Sequence, residues 1–381
     1  MTIKNITHKM YSFVKNETVL SIAAVLAVIS SFFVKPDMNY LGYIDFRTLA
    51  LLFCLMAVMA GLQKTGVFNI MAEKMLKHVH GIKSLTFILV MLCFFFSMFI
   101  TNDVALITFV PFTFTVLNMI DEDEKSRLII PVIAMQTIAA NLGSMLTPVG
   151  NPQNLYLHGF SGLGVGEFVM LMLPYAAISF LLLSVWILIK RGKGRIKINF
   201  SKNVHTGDKK KIWIYLISFV VCLLTVARLI DYKITLLIVI ALISAADYKI
   251  FAKVDYTLLL TFAAFFVFIG NMGRIPVFED YIKSVIDGRE CITGVLSSQL
   301  ISNVPAALLL SGFTDNFKSL IIGVNLGGLG TLIASMASLI SFKLLGGENK
   351  SLRGRYLIYF TVANILFLAV LLFAYYIFRS A

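Results

Sequence analysis

The sequence predicts an all-α polytopic membrane protein, an inverted repeat with two re-entrant hairpins and two broken helices. Three observations predict it. Hydrophobic residues make up 59% of the 381 residues and charged ones only 14%, outside the range of soluble domains. A polar motif occurs twice inside apolar sequence, as Ser97 to Ala105 with Thr101, Asn102 and Asp103 at its centre, and as Ser298 to Ala306 with Ser302, Asn303 and Val304. The residues around the two copies match in the same order.

The spans come first. A helix needs about 20 residues to cross the hydrocarbon, fewer when neighbours shield its ends. Apolar runs of that kind lie at 19–33, 46–62, 129–146, 168–190, 212–229, 234–246, 256–271, 320–341 and 356–378. Two further stretches, 85–117 and 291–313, are interrupted by the polar motifs. Each reads as two spans or one hairpin. The second is too short for two crossings, and the repeat extends the hairpin reading to the first.

The repeat is visible in register. Ile44, Asp45 and Phe46 match Val254, Asp255 and Tyr256, and Lys64, Val67 and Phe68 match Arg274, Val277 and Phe278. Asn141, Leu142 and Gly143 match Asn325, Leu326 and Gly327, which sets Gly150, Asn151 and Asn154 against Ala334, Ser335 and Ser338. Internal symmetry of this kind is a mark of transporters. The expected organisation is a first repeat over 1–190, with a cytoplasmic-side hairpin at 85–117 and a broken helix at 129–160. A basic cytoplasmic linker plus a connecting span follows over 191–233. An inverted second repeat covers 234–381, with an outside hairpin at 291–313 and a broken helix at 320–341.

Orientation follows from charge. The formal net charge is +13, and its densest cluster runs from Lys190 through Arg191, Lys193, Arg195, Lys197, Lys202 and Lys209 to Lys211 between two apolar segments. That placement is the cytoplasmic bias of basic loops in a multi-pass inner-membrane protein, and it argues against nucleic acid as a partner. No signal peptide is expected in residues 1–18. Cys54, Cys93, Cys222 and Cys291 form no CxxC pair, so neither a disulfide framework nor a zinc site is expected. His78 and His80 read as a surface pair.

The chemistry concentrates at the breaks. A chain that reverses inside the bilayer exposes helix ends with unpaired N–H and C=O groups, and Thr101, Asn102, Ser302 and Asn303 are residue types that cap such ends. The same oxygens suit a cation, while helix N-termini suit an anion. Residues 147–154 carry Pro148, Gly150 and Pro152, which interrupt a helix, with Asn151 and Asn154 alongside. The matching segment at 325–331 is broken by glycines. Asp103 is the one carboxylate placed deep in a hairpin, either a cap or a coupling group. Asp45 and Asp255 read as caps, and Gln136 and Gln299 as helix–helix hydrogen bonders or substrate contacts. No nucleotide-binding glycine motif, HExxH motif or deep acid–base pair appears, so an enzyme is not expected.

At these residues the chain resembles the ion transporter superfamily over nearly its whole length. Residues 101–105 and 147–154 look like those of the ArsB/NhaD-like permeases of the YbiR type, with a citrate transporter-like domain, and more distantly those of the divalent anion:sodium symporters. The resemblance implies a homodimeric elevator transporter. Hairpins and broken helices would form the moving part. Residues 19–62 and 234–271 would form a dimer scaffold, and 63–83 and 273–287 the arms between the two parts. The symporter tips read Ser-Asn-Thr. Thr101 and Ser302 match the first position and Asn102 and Asn303 the second, whereas Asp103 and Val304 depart at the third. An acid there is closer to the arsenite and sodium/proton branches.

The expected function is ion-coupled secondary transport of a small anion or oxyacid. Alternatives are a sodium/proton antiporter using Asp103 and an arsenite-type efflux permease. Substrate contact is expected from Asn102, Ser302, Asn303 and Asn154. Coupling is expected from Thr101, Asn102, Asp103, Gly150, Asn151 and Asn325, with a sodium site at Thr101, Asn102, Gly150 and Asn151. No cofactor is expected beyond Na+ or H+ as the coupling ion. The expected partners are a small-molecule or inorganic substrate, the lipid bilayer and a second copy of the chain.

Overall fold

The computed structural model describes residues 17–77, 79, 81–189 and 208–380. Most of the N-terminal segment, His78, His80 and the loop residues Lys190 to Lys202 lie outside the described residues. Among those described there is no β-strand.

The chain opens with α1 (Thr18–Phe33), a short α2 (Asn39–Tyr43), α3 (Phe46–Lys64) and α4 (Val67–Leu76). A V-shaped pair follows, α5 (Ile82–Ile100) and α6 (Asn102–Leu117), then α7 (Glu122–Ser144), α8 (Pro152–Ser161) and α9 (Val165–Ile189). After the linker come α10 (Lys209–Val226), α11 (Tyr232–Asp247), α12 (Tyr256–Met272) and α13 (Pro276–Ile286). A second V, α14 (Glu290–Ile301) and α15 (Asn303–Ser311), is followed by α16 (Phe317–Leu326), α17 (Met336–Glu348) and α18 (Arg353–Ser380).

Each element has a local reason. α3 and α12 both begin at an aspartate cap: Asp45 accepts from Thr48 N at 3.0 Å and Asp255 from Leu258 N at 2.9 Å, each satisfying one of a helix's orphan donors. α7 starts seven residues before its apolar run, because Glu122, Asp123 and Glu124 fill its first turn and favour the positive end of the helix dipole. Pro276 opens α13, where a missing N–H costs nothing, and α12 and α13 meet at 106°.

Among the described residues, six helices are long and apolar enough to cross a membrane, or seven if the bent α12–α13 pair is one span. One of the six is α5, so the first V has one arm of full span length, whereas α14 and α15 have 12 and 9 residues. The two Vs therefore share a tip but not an arm length.

α7 is the centre of the molecule. Every residue from Ile129 to Ser144 is buried, as expected of a helix with neighbours all round. It packs on α5, α6, α17 and α18. The outermost helices keep large apolar side chains exposed, such as Leu181 and Leu188 on α9 and Leu366 and Phe373 on α18. Soluble monomers do not carry apolar surface of that extent. It is a lipid-facing surface.

Candidate functional site

The site begins with two strained residues. Thr101 joins α5 to α6 at φ 68°, ψ 151°, and Ser302 joins α14 to α15 at φ 73°, ψ 156°. This region is essentially reserved for glycine, and a side chain there costs about 1–3 kcal/mol. Both tips hold a hydroxyl residue in the same unfavourable conformation, and both place an asparagine at the first position of the next helix.

Each V is sewn to a broken helix in the same way. Thr147 Oγ1 donates to Met98 O, and at the matching positions Thr331 Oγ1 donates to Gln299 O at 3.4 Å. Gly143 and Gly327 are the points of close approach. A Cβ added at Gly143 would lie 2.6 Å from Ser97 Oγ, and one at Gly327 the same distance from Ser298 Oγ.

The breaks themselves are held by different chemistry. In the first, 145–151, Asn154 Nδ2 donates to Ser144 O, Met145 O and Thr147 O at 3.2–3.3 Å. Those are carbonyls that the end of α7 leaves free. In the second, 327–335, Gln299 Nε2 reaches in from α14 and donates to Gly327 O and Leu329 O, both at 2.9 Å, while its Oε1 accepts from Thr331 N. Gln136 instead bonds Leu89 O and Thr113 Oγ1 within the packing around α7.

The two halves then interlock. Asn151 Nδ2 donates to Asn325 Oδ1 at 3.2 Å, and Asn325 Nδ2 donates to Asn154 Oδ1 at 2.6 Å. Reciprocally, Ser335 Oγ donates to Asn141 Oδ1 at 2.9 Å, and Asn141 Nδ2 faces Ser338 Oγ at 3.5 Å. Asn102 Nδ2 also donates to Asn141 Oδ1, at 3.0 Å. Every one of these side chains is buried. A buried polar network is stabilising only when its members are satisfied, and this one links both breaks to the first tip.

Of the expected cation ligands, Thr101, Asn102, Gly150 and Asn151 converge. Asn102 N donates to Gly150 O at 3.1 Å, and Asn102 Oδ1 accepts from Asp103 N at 3.0 Å. A carbonyl oxygen has two lone pairs, so Gly150 O and Asn102 Oδ1 each keep one for a further partner. Among the described residues no group of three His, Cys, Asp or Glu side chains could hold a metal. Asn154 is fully enclosed and its amide is committed to the turn. At the second tip, Ser302 Oγ is 3.5 Å from Ala334 O. Asn303 lies over Gly328, and its side chain has no hydrogen-bond partner among the described residues.

Two cavities reach the tips. One of about 230 Å³ is lined by Thr101, Asp103 and Asn151, with Lys253 and Asp255 at its edge. The other, about 330 Å³, is lined by Ser302 and Val304, with Asp255 and Lys343. Met336, Ile340, Leu258 and Asp255 border both. Asp103 has a buried carboxylate oxygen with no hydrogen-bond partner among the described residues, and Asp255 is the second acid on the same cavity. Outside the spans, burial pushes the Glu73 carboxyl of α4 above its ordinary range, with Lys77 pulling it partway back.

Four residues of this site carried no functional signal in the sequence. Asn141, Ser335 and Ser338 appeared only as members of the repeat, and Asp255 only as a cap. The available hint was Asn141 itself, a buried amide in the last turn of α7.

A family model described as citrate transporter matches residues 6–317. The chain belongs to the citrate transporter family. Within it, the chain is 34% identical over 338 residues to an uncharacterized transporter of Methanocaldococcus jannaschii, covering 88% of this chain and 90% of that one. It is 33% identical over 322 residues to the inner membrane protein YbiR of Escherichia coli, covering 82% and 84%. A shorter match of 140 residues, 30% identical, joins it to the P protein of Mus musculus, over 36% of this chain and 16% of that one. The resemblance read from residues 101–105 and 147–154 is thus borne out. This citrate transporter family member is an integral multi-pass membrane protein of a transporter class.

Proposed function

We propose that the chain is an ion-coupled secondary transporter of a small anion or oxyacid, acting in the cytoplasmic membrane as a homodimer. The observation that carries this reading is a buried polar network that joins the two helix breaks, one from each half, to the first strained tip, with the second tip lying against the second break. Such polar backbone at membrane depth is tolerated only when buried in protein or lining a cavity, and discontinuous helices facing each other are how transporters build midplane sites.

The halves read as inverted, with the α5–α6 tip entering from the cytoplasm and the α14–α15 tip from outside. The ends of α3 and α11, paired through Lys64 and Asp247 at 2.5 Å, lie with Lys343 on the cytoplasmic side, so both tip cavities open inward. In this reading α5–α8 and α14–α17 move together against a scaffold of α1–α3 and α10–α12, with α4 and α13 as arms. Gly150 O, Asn151, Asn102 and Thr101 oxygens hold the cation, and Asn325 keeps Asn151 oriented. Asn102, Asn303 and Ser302 contact the anion. Asn303 is the amide with free hydrogen-bonding capacity, and helix N-termini at both tips favour negative charge. Asn154 acts by holding the break in shape. The family's name makes citrate the first anion to test.

A second reading, proton-coupled exchange through Asp103, is favoured by the unpartnered carboxylate oxygen beside Asp255. An arsenite-type efflux permease would use the same tips. Purified protein, screened by thermal shift against sodium, lithium, pH, oxyanions and carboxylates, then tested for counterflow in proteoliposomes, decides among them. Exchange of labelled for unlabelled anion supports a carrier. Sodium-for-proton exchange with no anion dependence would replace it by the second reading.

A further inference from the structure

A third cavity, of about 410 Å³, lies beside the first tip cavity. It occupies the angle between α4 and α6. Its polar lining is Gln63, Asn69, Glu73, Thr108 and Thr115, and among the described residues no lysine or arginine lines it. Gln63 and Ile107 line both this cavity and the one that holds Asp103. They are a shared wall, and Gln63 Nε2 closes it by donating to Thr108 Oγ1 at 3.2 Å. The basic side chains lie elsewhere: Lys253 edges the Asp103 cavity and Lys343 the Ser302 cavity. Among the described residues the basic group acting on Glu73 is Lys77, a turn further along.

We infer that this cavity is a cation vestibule, distinct from the anion entrance, which feeds Asp103 past a Gln63–Thr108 partition. This rests on the reading of the chain as a cation-coupled carrier. The segregation of charge supports it. A vestibule whose only charged lining group among the described residues is a carboxylate concentrates cations and repels anions, and low-dielectric walls strengthen the effect. Amide and hydroxyl oxygens along the wall are hard ligands that replace the hydration of a small monovalent cation. The partition is a single neutral hydrogen bond, and the net strength of such a bond is modest, so a side-chain rotation opens it at little cost. Anions meet Lys253 and Lys343 at the other two openings. Cation and anion thereby reach the two sides of the same site by different routes.

The test measures access chemically, in inside-out membrane vesicles of the full-length chain with its four cysteines replaced and one introduced at Thr115→Cys or, as a second position, Asn69→Cys. The probes are a trimethylammonium and a sulfonate methanethiosulfonate, their rates normalised to those on a small thiol. The cationic probe is expected to be favoured by about threefold or more, a small share of the 10–1,000-fold that focused charge gives, and Glu73→Gln should abolish the preference. At Val104→Cys, in the Asp103 cavity, Gln63→Ala should speed the cationic reaction and leave the anionic one unchanged. Equal normalised rates at Thr115 and Asn69, or a preference that survives Glu73→Gln, would overturn the vestibule. Gln63→Ala speeding both probes equally would overturn its selectivity. These rates do not depend on transport, so a carrier that proves not to be cation-coupled fails in the flux assay and not here.

Discussion

Asn151 donates to Asn325 at 3.2 Å while Ser335, the residue matching Asn151, donates to Asn141, the residue matching Asn325, at 2.9 Å. The helix leading into each half's break thus holds the other half's break. The two breaks are one structural unit, and disturbing either one disturbs both.

That reciprocity makes a stability prediction. Asn325→Ala removes a partner from both Asn151 and Asn154, and leaving a buried polar group unsatisfied costs about 1–3 kcal/mol. Ser335→Ala takes from Asn141 Oδ1 one donor of two, since Asn102 remains. Melting in detergent should therefore fall clearly more for Asn325→Ala than for Ser335→Ala. Equal losses would mean that the crossing bonds are not what holds the breaks together.

The tips separate strain from function. Thr101→Gly and Ser302→Gly relieve about 1–3 kcal/mol of backbone strain, against about 0.5–1 kcal/mol for glycine's greater unfolded freedom. The melting temperature should hold or rise while counterflow is lost. Glycine variants that transport like the parent would show the hydroxyls to be dispensable.

Gly143→Ala would drive a methyl to within 1.9 Å of Phe94 O, backbone that cannot swing aside. Overpacking of a tight core costs about 1–3 kcal/mol. We expect a lower melting temperature and reduced folded yield by size exclusion, whereas Gly347→Ala, which meets nothing within 4 Å, should leave both unchanged.

Much of this arrangement was legible in the sequence. Helix starts at Asp45 and Asp255, the tips at Thr101 and Ser302, and the breaks after Asn141 and Asn325 follow from local chemistry: caps, hydroxyl–asparagine pairs, prolines and glycines. The length of α5 was not, because hydropathy runs through Ile82–Ile100 without marking which residues lie at membrane depth. Nor were the crossing bonds. They join residues more than 170 positions apart, and the repeat register says which residues correspond, not which ones touch. Gln299 stood out as an amide in an apolar stretch, but the Gly327 and Leu329 carbonyls it bonds become acceptors only once the helix has broken.

Asp103 distinguishes the two coupling readings. Asp103→Asn keeps the shape of the side chain and removes its capacity to ionise. If Asp103 couples a proton or cation, the pH profile of transport should flatten and the response to a proton gradient disappear. A variant that keeps the wild-type profile would leave Asp103 as part of the α6 N-terminus only, with coupling at the Asn102 and Gly150 oxygens.

In the proposed arrangement two oppositely inserted halves bring their tips to one site. Single cysteines at Asp121, at the base of the first V, and at Asp315, at the base of the second, test it most directly. In intact cells an impermeant maleimide should label Asp315→Cys and not Asp121→Cys, and in inside-out vesicles the pattern should reverse. Labelling of both positions from the same side would contradict the inverted arrangement and the transport site built on it.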